Sequence, residues 1–300
     1  MLNNLYIPRV VHASSTTAGA DASADASAAA SAADQAQREQ TTRRADEFRT
    51  VRMQTGVVKH ASGSAHVEIG RTKVVCSVFG PRAVTGRAAY SDMGTINCDV
   101  KFAPFACAGG RRERGQGHDE RVLCQQLQHA LEPAVLLHKL PKLELSVFVL
   151  VVEADGGHLG AAITAASLAL ADAHVECYDL VAGCSLAVAE ARDAAGSSSD
   201  DVRDYARQGA HASGFLLDPT LVESKGKPTM TMAMMPALKQ VNAMVQTGVM
   251  SASADAPASV SAAMDLCAAG CNSVHALMQR CLTEAASRNV RCAASLSTVA

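Results

Sequence analysis

Residues 143–152 limit what this chain can fold into more than any other stretch. Leu143, Leu145, Val147, Val149 and Val151 alternate strictly, yet Phe148, Leu150 and Val152 between them are apolar too. A run apolar on both parities predicts a strand covered on both faces, central in a sheet. Gly156 and Gly157 follow, then Ala161–Ala173, an Ala/Leu-rich segment with no breaker that predicts a tightly packed helix. A buried strand, a glycine turn and a packed helix in that order point to a layered α/β protein.

The flanking pattern extends this reading. Val51–Lys59 and Ala65–Ile69 are strand candidates joined across the turn ASGSA. Lys73–Phe79 is a β-branched apolar run that Gly80-Pro81 is expected to end. Ile96, Cys98, Val100 and Phe102 alternate on one strand face, whereas Asp119–His138 carries apolar residues at helical spacing. Leu180–Val188 returns as a strand. Gly214–Leu217, Thr229–Met235 and Val241–Gln246 suggest a small antiparallel set. Finally, Val260, Met264, Cys267, Cys271, Val274, Met278 and Cys281 follow the start signal of Asp255 and Pro257 and form one stripe on a long amphipathic helix. Packing of that stripe on the chain's own sheet is expected, with a coiled-coil partner as the alternative.

Composition narrows the function classes. Hydrophobic residues make up 48% of the 300, enough for a sizeable core, and the net charge of -2 excludes a globally basic nucleic-acid coat. With no Trp, four Tyr and six Phe, rows of stacked aromatics for base binding are not expected. No apolar run reaches the roughly 20 residues of a membrane span. Met1–Val11 lacks the continuous apolar stretch of an export signal, so the ten cysteines are expected to be reduced. None forms a CxxC pair; Cys267 and Cys271 read as small core residues, and neither metal nor cofactor is expected. Ala13–Thr42 holds almost no large apolar group, so residues 1–41 are expected to form a disordered tail. A surface insertion is expected at about 190–213, around AGSSSDD, and a flexible terminus over 288–300, leaving one domain at 42–287.

Five segments carry a family resemblance. They are Arg43–Arg82, ALEPAV (Ala130–Val135), EADGGHLGAAITAASLALADA (Glu153–Ala173), YDLVAGCS (Tyr178–Ser185) and LLDPTLVE (Leu216–Glu223). In this order they span nearly the whole chain outside its tails, and the chain resembles the RNase PH-like subunits of the RNA exosome. The resemblance implies a β-α-β fold with a mixed sheet and helices against it. It implies pairing with other RNase PH-like subunits in a hetero-oligomeric six-membered ring through which single-stranded RNA passes, S1/KH cap subunits and an associated exoribonuclease. It also implies work in nucleus, nucleolus and cytoplasm.

Active relatives cut RNA by phosphorolysis, in which inorganic phosphate attacks the 3′-terminal linkage and releases a nucleoside diphosphate. Phosphate must be gripped by cations and backbone N–H donors, and the leaving oxygen needs an acid or a metal. The resemblance implies three motifs for these tasks, and this chain departs from each. Ahead of ALEP, where an Arg pair is expected, stand His118, Asp119, Glu120 and Arg121. After the double glycine, Leu159 stands where an Arg should be. After Asp218 there is no second Asp, only Glu223 with Lys225 and Lys227. Without its guanidinium groups the site is expected to be catalytically silent, with no catalytic residue to assign. The alternative is an active phosphate-dependent 3′-5′ exoribonuclease subunit in which Glu223 and His158 replace the usual groups. A third reading is an RNA-binding module outside any ring. Gly156–Gly157 at a strand-to-helix junction could cradle an anion, or could survive only as scaffold. Arg111, Arg112 and Arg114 in GGRRERG, and Arg82 in GPR, are the candidate RNA contacts. A solvated loop or a subunit-interface ion pair accounts for the same arginines.

Overall fold

The computed structural model describes residues 46–83, 93–107, 117–188, 215–248 and 256–297, with the side chains of 260–288 in the last segment. The tail over 1–41 and the insertion at 190–213 lie outside the described residues, as do Arg111, Arg112 and Arg114.

The chain builds two sheets. The first holds β1 (Val51–Thr55), β2 (Gly63–Ile69), β3 (Thr72–Ala83), β4 (Thr95–Phe102) and β5 (Leu143–Glu153), ordered β1-β2-β3-β5-β4. Helix α1 (His118–Leu131) lies between β4 and β5 in sequence and lets them pair in parallel; every other pair is antiparallel. The second sheet is wholly antiparallel. It holds β6 (Ala182–Val188), β7 (Phe215–Leu217), β8 (Thr229–Met235) and β9 (Gln240–Thr247), ordered β7-β6-β8-β9.

Helix α2 (His158–Asp172) is the layer between the sheets, touching β2 and β3 on one side and β6 on the other. Leu159 through Leu170 are all buried, which is why the segment has no polar face. Small residues make the fit possible: a Cβ on Gly183 of β6 would stand 2.5 Å from the Gly160 carbonyl oxygen. The buried hydroxyls in α2 are used. Thr164 Oγ1 donates to Gly160 O (2.9 Å) and accepts from Gly183 N–H (3.1 Å), and Ser167 Oγ accepts from Val181 N–H (2.9 Å).

Helix α4 (Ala256–Ser297) closes the far face of the second sheet. Cys267, Cys271, Val274, Met278 and Cys281 are buried as the stripe predicts, and Cys271 Sγ donates to Ala182 O at 3.5 Å. Packing is therefore on the chain's own sheet. Met264 departs from the stripe: it is 36% exposed, and Ala263, one position earlier, takes the inward place. The helix also continues past residue 288 to Ser297.

Three further expectations need correction. β5 is central, between β3 and β4, but only one face is covered; Phe148 and Leu150 are 42% and 44% exposed. β3 does not stop at Gly80-Pro81. It runs on to Ala83, with a register shift between Phe79 and Arg82 absorbing the pair as a bulge. Helix α1 ends at Leu131 rather than His138, because Pro133 cannot supply the next backbone donor; a short 3-10 turn follows at Leu137–Lys139. No helix among the described residues is long and apolar enough to cross a membrane.

Candidate functional site

The loop Ala154–Gly157, between the end of β5 and the start of α2, is where the glycine motif falls. Gly156 and Gly157 hold φ of +81° and +59°, values that disfavour any residue with a side chain. Space is equally restrictive: a Cβ on Gly156 would lie 2.3 Å from Pro219 O.

Donors from two other segments fasten this loop. Thr72 Oγ1, at the start of β3, donates to Gly156 O (2.8 Å) and accepts from Asp155 N–H (3.1 Å). Arg49, just ahead of β1, reaches in with a side chain only 5% exposed. Its Nε and Nη2 make a two-bond fork with Asp218 Oδ2 and Oδ1, both 2.8 Å, while Nη1 donates to Asp155 O at 2.8 Å. Asp218 follows β7, sits at φ +49°, and is held there as its N–H donates to Ser185 O (2.8 Å). Burial alone lowers the Arg49 pKa. The charge and hydrogen bonds of Asp218, then the charges of Asp155 and Glu223, outweigh that and hold it above its ordinary value.

This guanidinium cannot also serve as an anion grip. Its fork is spent on Asp218 and its remaining edge on loop carbonyls. Glu223 is likewise committed. It belongs to the capping box of the short helix α3 (Leu221–Ser224), accepting from Thr220 N–H at 2.8 Å while its own N–H donates to Thr220 Oγ1 at 3.3 Å.

The residues at the other two motif positions make contacts within the fold. Leu159 is buried, 7% exposed, and lines an apolar seam with Val100, Leu123, Leu127, Val151, His158 and Ala162 that does not admit a water-sized molecule. His158 meets the edge of the Phe102 ring, centroids 5.5 Å apart. Ahead of α1's ALEP end, Glu120 turns inward, accepting from Phe102 N–H (3.1 Å) and Gly117 N–H (3.3 Å), whereas His118, Asp119 and Arg121 face solvent. No group of three or more His, Cys, Asp or Glu among the described residues is arranged to hold a metal.

Arg82 stands elsewhere, near the far end of β3, in register with Glu144 at the start of β5. It is exposed, and its guanidinium carbon lies 5.4 Å from the centroid of the Phe79 ring. Phe79 in turn meets Phe148 edge-on at 5.7 Å. The sequence did not single out Arg49, Asp218 or this aromatic pair. A signal existed for Asp218, the one charge in the apolar stretch FLLDP; Arg49 stands among other charges and offers no such signal.

Residues 47–176, which include the glycine loop, Arg49 and the helix between the sheets, match the RNase PH family model, 3′ exoribonuclease family, domain 1. The chain belongs to this family. It is 38% identical over 262 residues to "Exosome complex component MTR3" of Homo sapiens, covering 82% of this chain and 87% of that protein. Among solved structures, rice Rrp46 superposes with TM-score 0.62 at 20% identity, over 79% of this chain and 96% of that one. A chain of the Archaeoglobus fulgidus exosome with RNA bound to the active site gives 0.59 at 22% identity, over 77% and 88%.

Proposed function

We propose that this chain is a structural, non-catalytic subunit of the exosome core ring, of the MTR3 type. It pairs with other RNase PH-like subunits and helps form the channel for single-stranded RNA in 3′-5′ processing and degradation. The observation that carries the silent-site reading is Leu159. At the helix start where phosphorolysis needs a cation, a buried leucine fills an apolar seam. Arg49, the one guanidinium that reaches the loop among the described residues, is consumed by Asp218. Charge-assisted bonds to an anion are worth about 1.5–3 kcal/mol each, so a site without them neither holds phosphate in line nor supports the charge that develops.

On this reading S1/KH cap subunits and an associated exoribonuclease complete the assembly, which works in nucleus, nucleolus and cytoplasm. Arg82, with Arg111, Arg112 and Arg114, supplies weak backbone contacts to passing RNA. Support for Arg82 is its exposure and its seat on Phe79, which leaves the outer edge of the guanidinium open.

Incubating the purified chain with 3′-labelled RNA and phosphate tests the reading. No labelled nucleoside diphosphate is expected. Its release would establish the active alternative through Glu223 and His158. Affinity purification that brings down no RNase PH-like subunit would instead favour an RNA-binding module outside any ring.

A further inference from the structure

The first sheet packs one face on α2 and leaves Phe148 and Leu150 of β5 nearly half exposed on the other. Along that outer face the strand register sorts charge from apolar surface. At one end Arg52, Glu68, Lys73 and Glu153 stand side by side on β1, β2, β3 and β5, alternating in sign. Two residues further along β3, Val75 stands beside Leu150; Ser77 then stands beside Phe148, and Phe79 beside Ser146. The Phe79 and Phe148 rings meet diagonally across the two strands, edge-on at 5.7 Å. Arg82 closes the other end, its guanidinium carbon 5.4 Å from the centre of the Phe79 ring.

The cations around this patch are not equivalent. Lys73 is paired with Glu153 at 3.2 Å, and Lys101, in register with Leu150, with Asp99 at 2.7 Å. Arg82 forms no ion pair among the described residues, although Glu144 stands in register with it. Its donors are open while its flat face rests on a ring. The apolar patch is also small. Four residues along a strand and one strand across measure about 13 by 5 Å. A stable protein interface takes about 800 Å² from each partner, roughly ten times that area. One or two flat bases fit the patch.

We infer that this face of the first sheet is a base-binding site: one base of single-stranded RNA stacks on Phe148, and Arg82 bonds the phosphate of the same nucleotide. The inference rests on the ring-subunit reading, in which RNA passes this chain, and adds a base contact to the backbone contact given there to Arg82. An exposed phenyl ring offers a base a flat apolar partner, and an uncommitted guanidinium offers its phosphate two donors. Every base has a π-face, so the site accepts any sequence, and it favours adenine over uracil only as far as the larger ring stacks more strongly. It is a single platform rather than a row of aromatics, which suits a chain with six Phe and no Trp.

The absence of tryptophan supplies the test, because Phe148→Trp in the full chain installs a single indole at the site. Oligoadenylate should quench its fluorescence saturably. An abasic ribose-phosphate oligomer of equal length keeps the phosphates, lacks the bases and should not. In the complex purified through this chain, Phe148→Leu keeps an apolar side chain and removes the ring. It should weaken oligoadenylate binding by about fivefold or more, and leave both abasic binding and the slope of log affinity against log salt unchanged. No quenching by oligoadenylate, or equal quenching by both oligomers, refutes the inference. Equal oligoadenylate affinity of the Phe148→Leu and parent complexes, with RNase PH-like subunits present in both, also refutes it and leaves the ring reading intact. Base-dependent quenching in a chain that brings down no RNase PH-like subunit supports the site and overturns the ring reading alone. A Phe148→Leu chain that loses the subunits its parent retains means that protein covers this face, and refutes the inference.

Discussion

Arg49 and Arg82 occur in the same resemblance segment, and the fold gives them opposite fates. Arg49 is buried, its fork closed on Asp218 and its last edge on loop carbonyls. Arg82 is exposed, resting on Phe79 beside Phe148. One is a fastener and the other is available to a ligand. An arginine near a presumed phosphate site is thus not evidence of phosphate chemistry until its five donors are counted.

The strongest test of that contrast removes the fastener. Arg49→Ala strips buried Asp218, at its positive φ, of the two-bond guanidinium fork, and should lower unfolding free energy by about 3–5 kcal/mol in a denaturant titration. Arg49→Lys should recover only part, since an ammonium cannot make the two-bond fork. A loss below about 1 kcal/mol for the alanine variant would show that the pair is not what fastens the loop.

Next in size, Leu159→Arg places a cation where the family resemblance implies one. It should cost about 2–3 kcal/mol of stability, because the apolar seam has no acceptor waiting, and should release no nucleoside diphosphate from RNA and phosphate. Gain of phosphorolysis would mean that this one position silences the site.

Burial governs thiols by the same rule. It pushes the Cys98 pKa up to about 12, with Cys124 and Glu132 adding to the shift, and Cys177 up to about 11. Below the ordinary thiol pKa near 9 both states keep these protons and stability does not depend on them. Above it the unfolded chain releases protons that the fold retains, so unfolding is favoured as pH rises. By pH 10 the two thiols should remove about 2 kcal/mol, seen as a falling melting midpoint between pH 9 and 10. A flat profile there would place these sulfurs in contact with water.

Arg82→Glu should change least. Melting should be unaffected, while RNA binding by the assembled ring weakens and the slope of log affinity against log salt falls by about one. An unchanged slope assigns Arg82 to a subunit contact instead.

The elements were legible where one physical signal dominated. Ala161–Ala173 reads as a helix because nothing in it opposes one, and the α4 stripe is visible at spacings of three and four. The errors came where local and distant effects compete. Gly80-Pro81 is a breaker in isolation, but pairing on both sides of the bulge carries β3 past it. Phe148 and Leu150 are apolar, which in sequence cannot be told from buried; they lie on the face the single chain leaves uncovered. Of the site, the residues at the three motif positions, Leu159 among them, could be read directly from the sequence. The Arg49–Asp218 fork could not, because its partners are 169 residues apart and only the closed fold brings them together.

β5 links these two arginines mechanically. Its first residues stand beside Arg82, and its end leads into the loop that Arg49 fastens. Eleven residues of extended chain at about 3.3 Å each form a stiff ruler roughly 36 Å long. Because β3 and β4 pair with it on either side, the exposed arginine and the fastened loop are held at opposite ends of one braced strand.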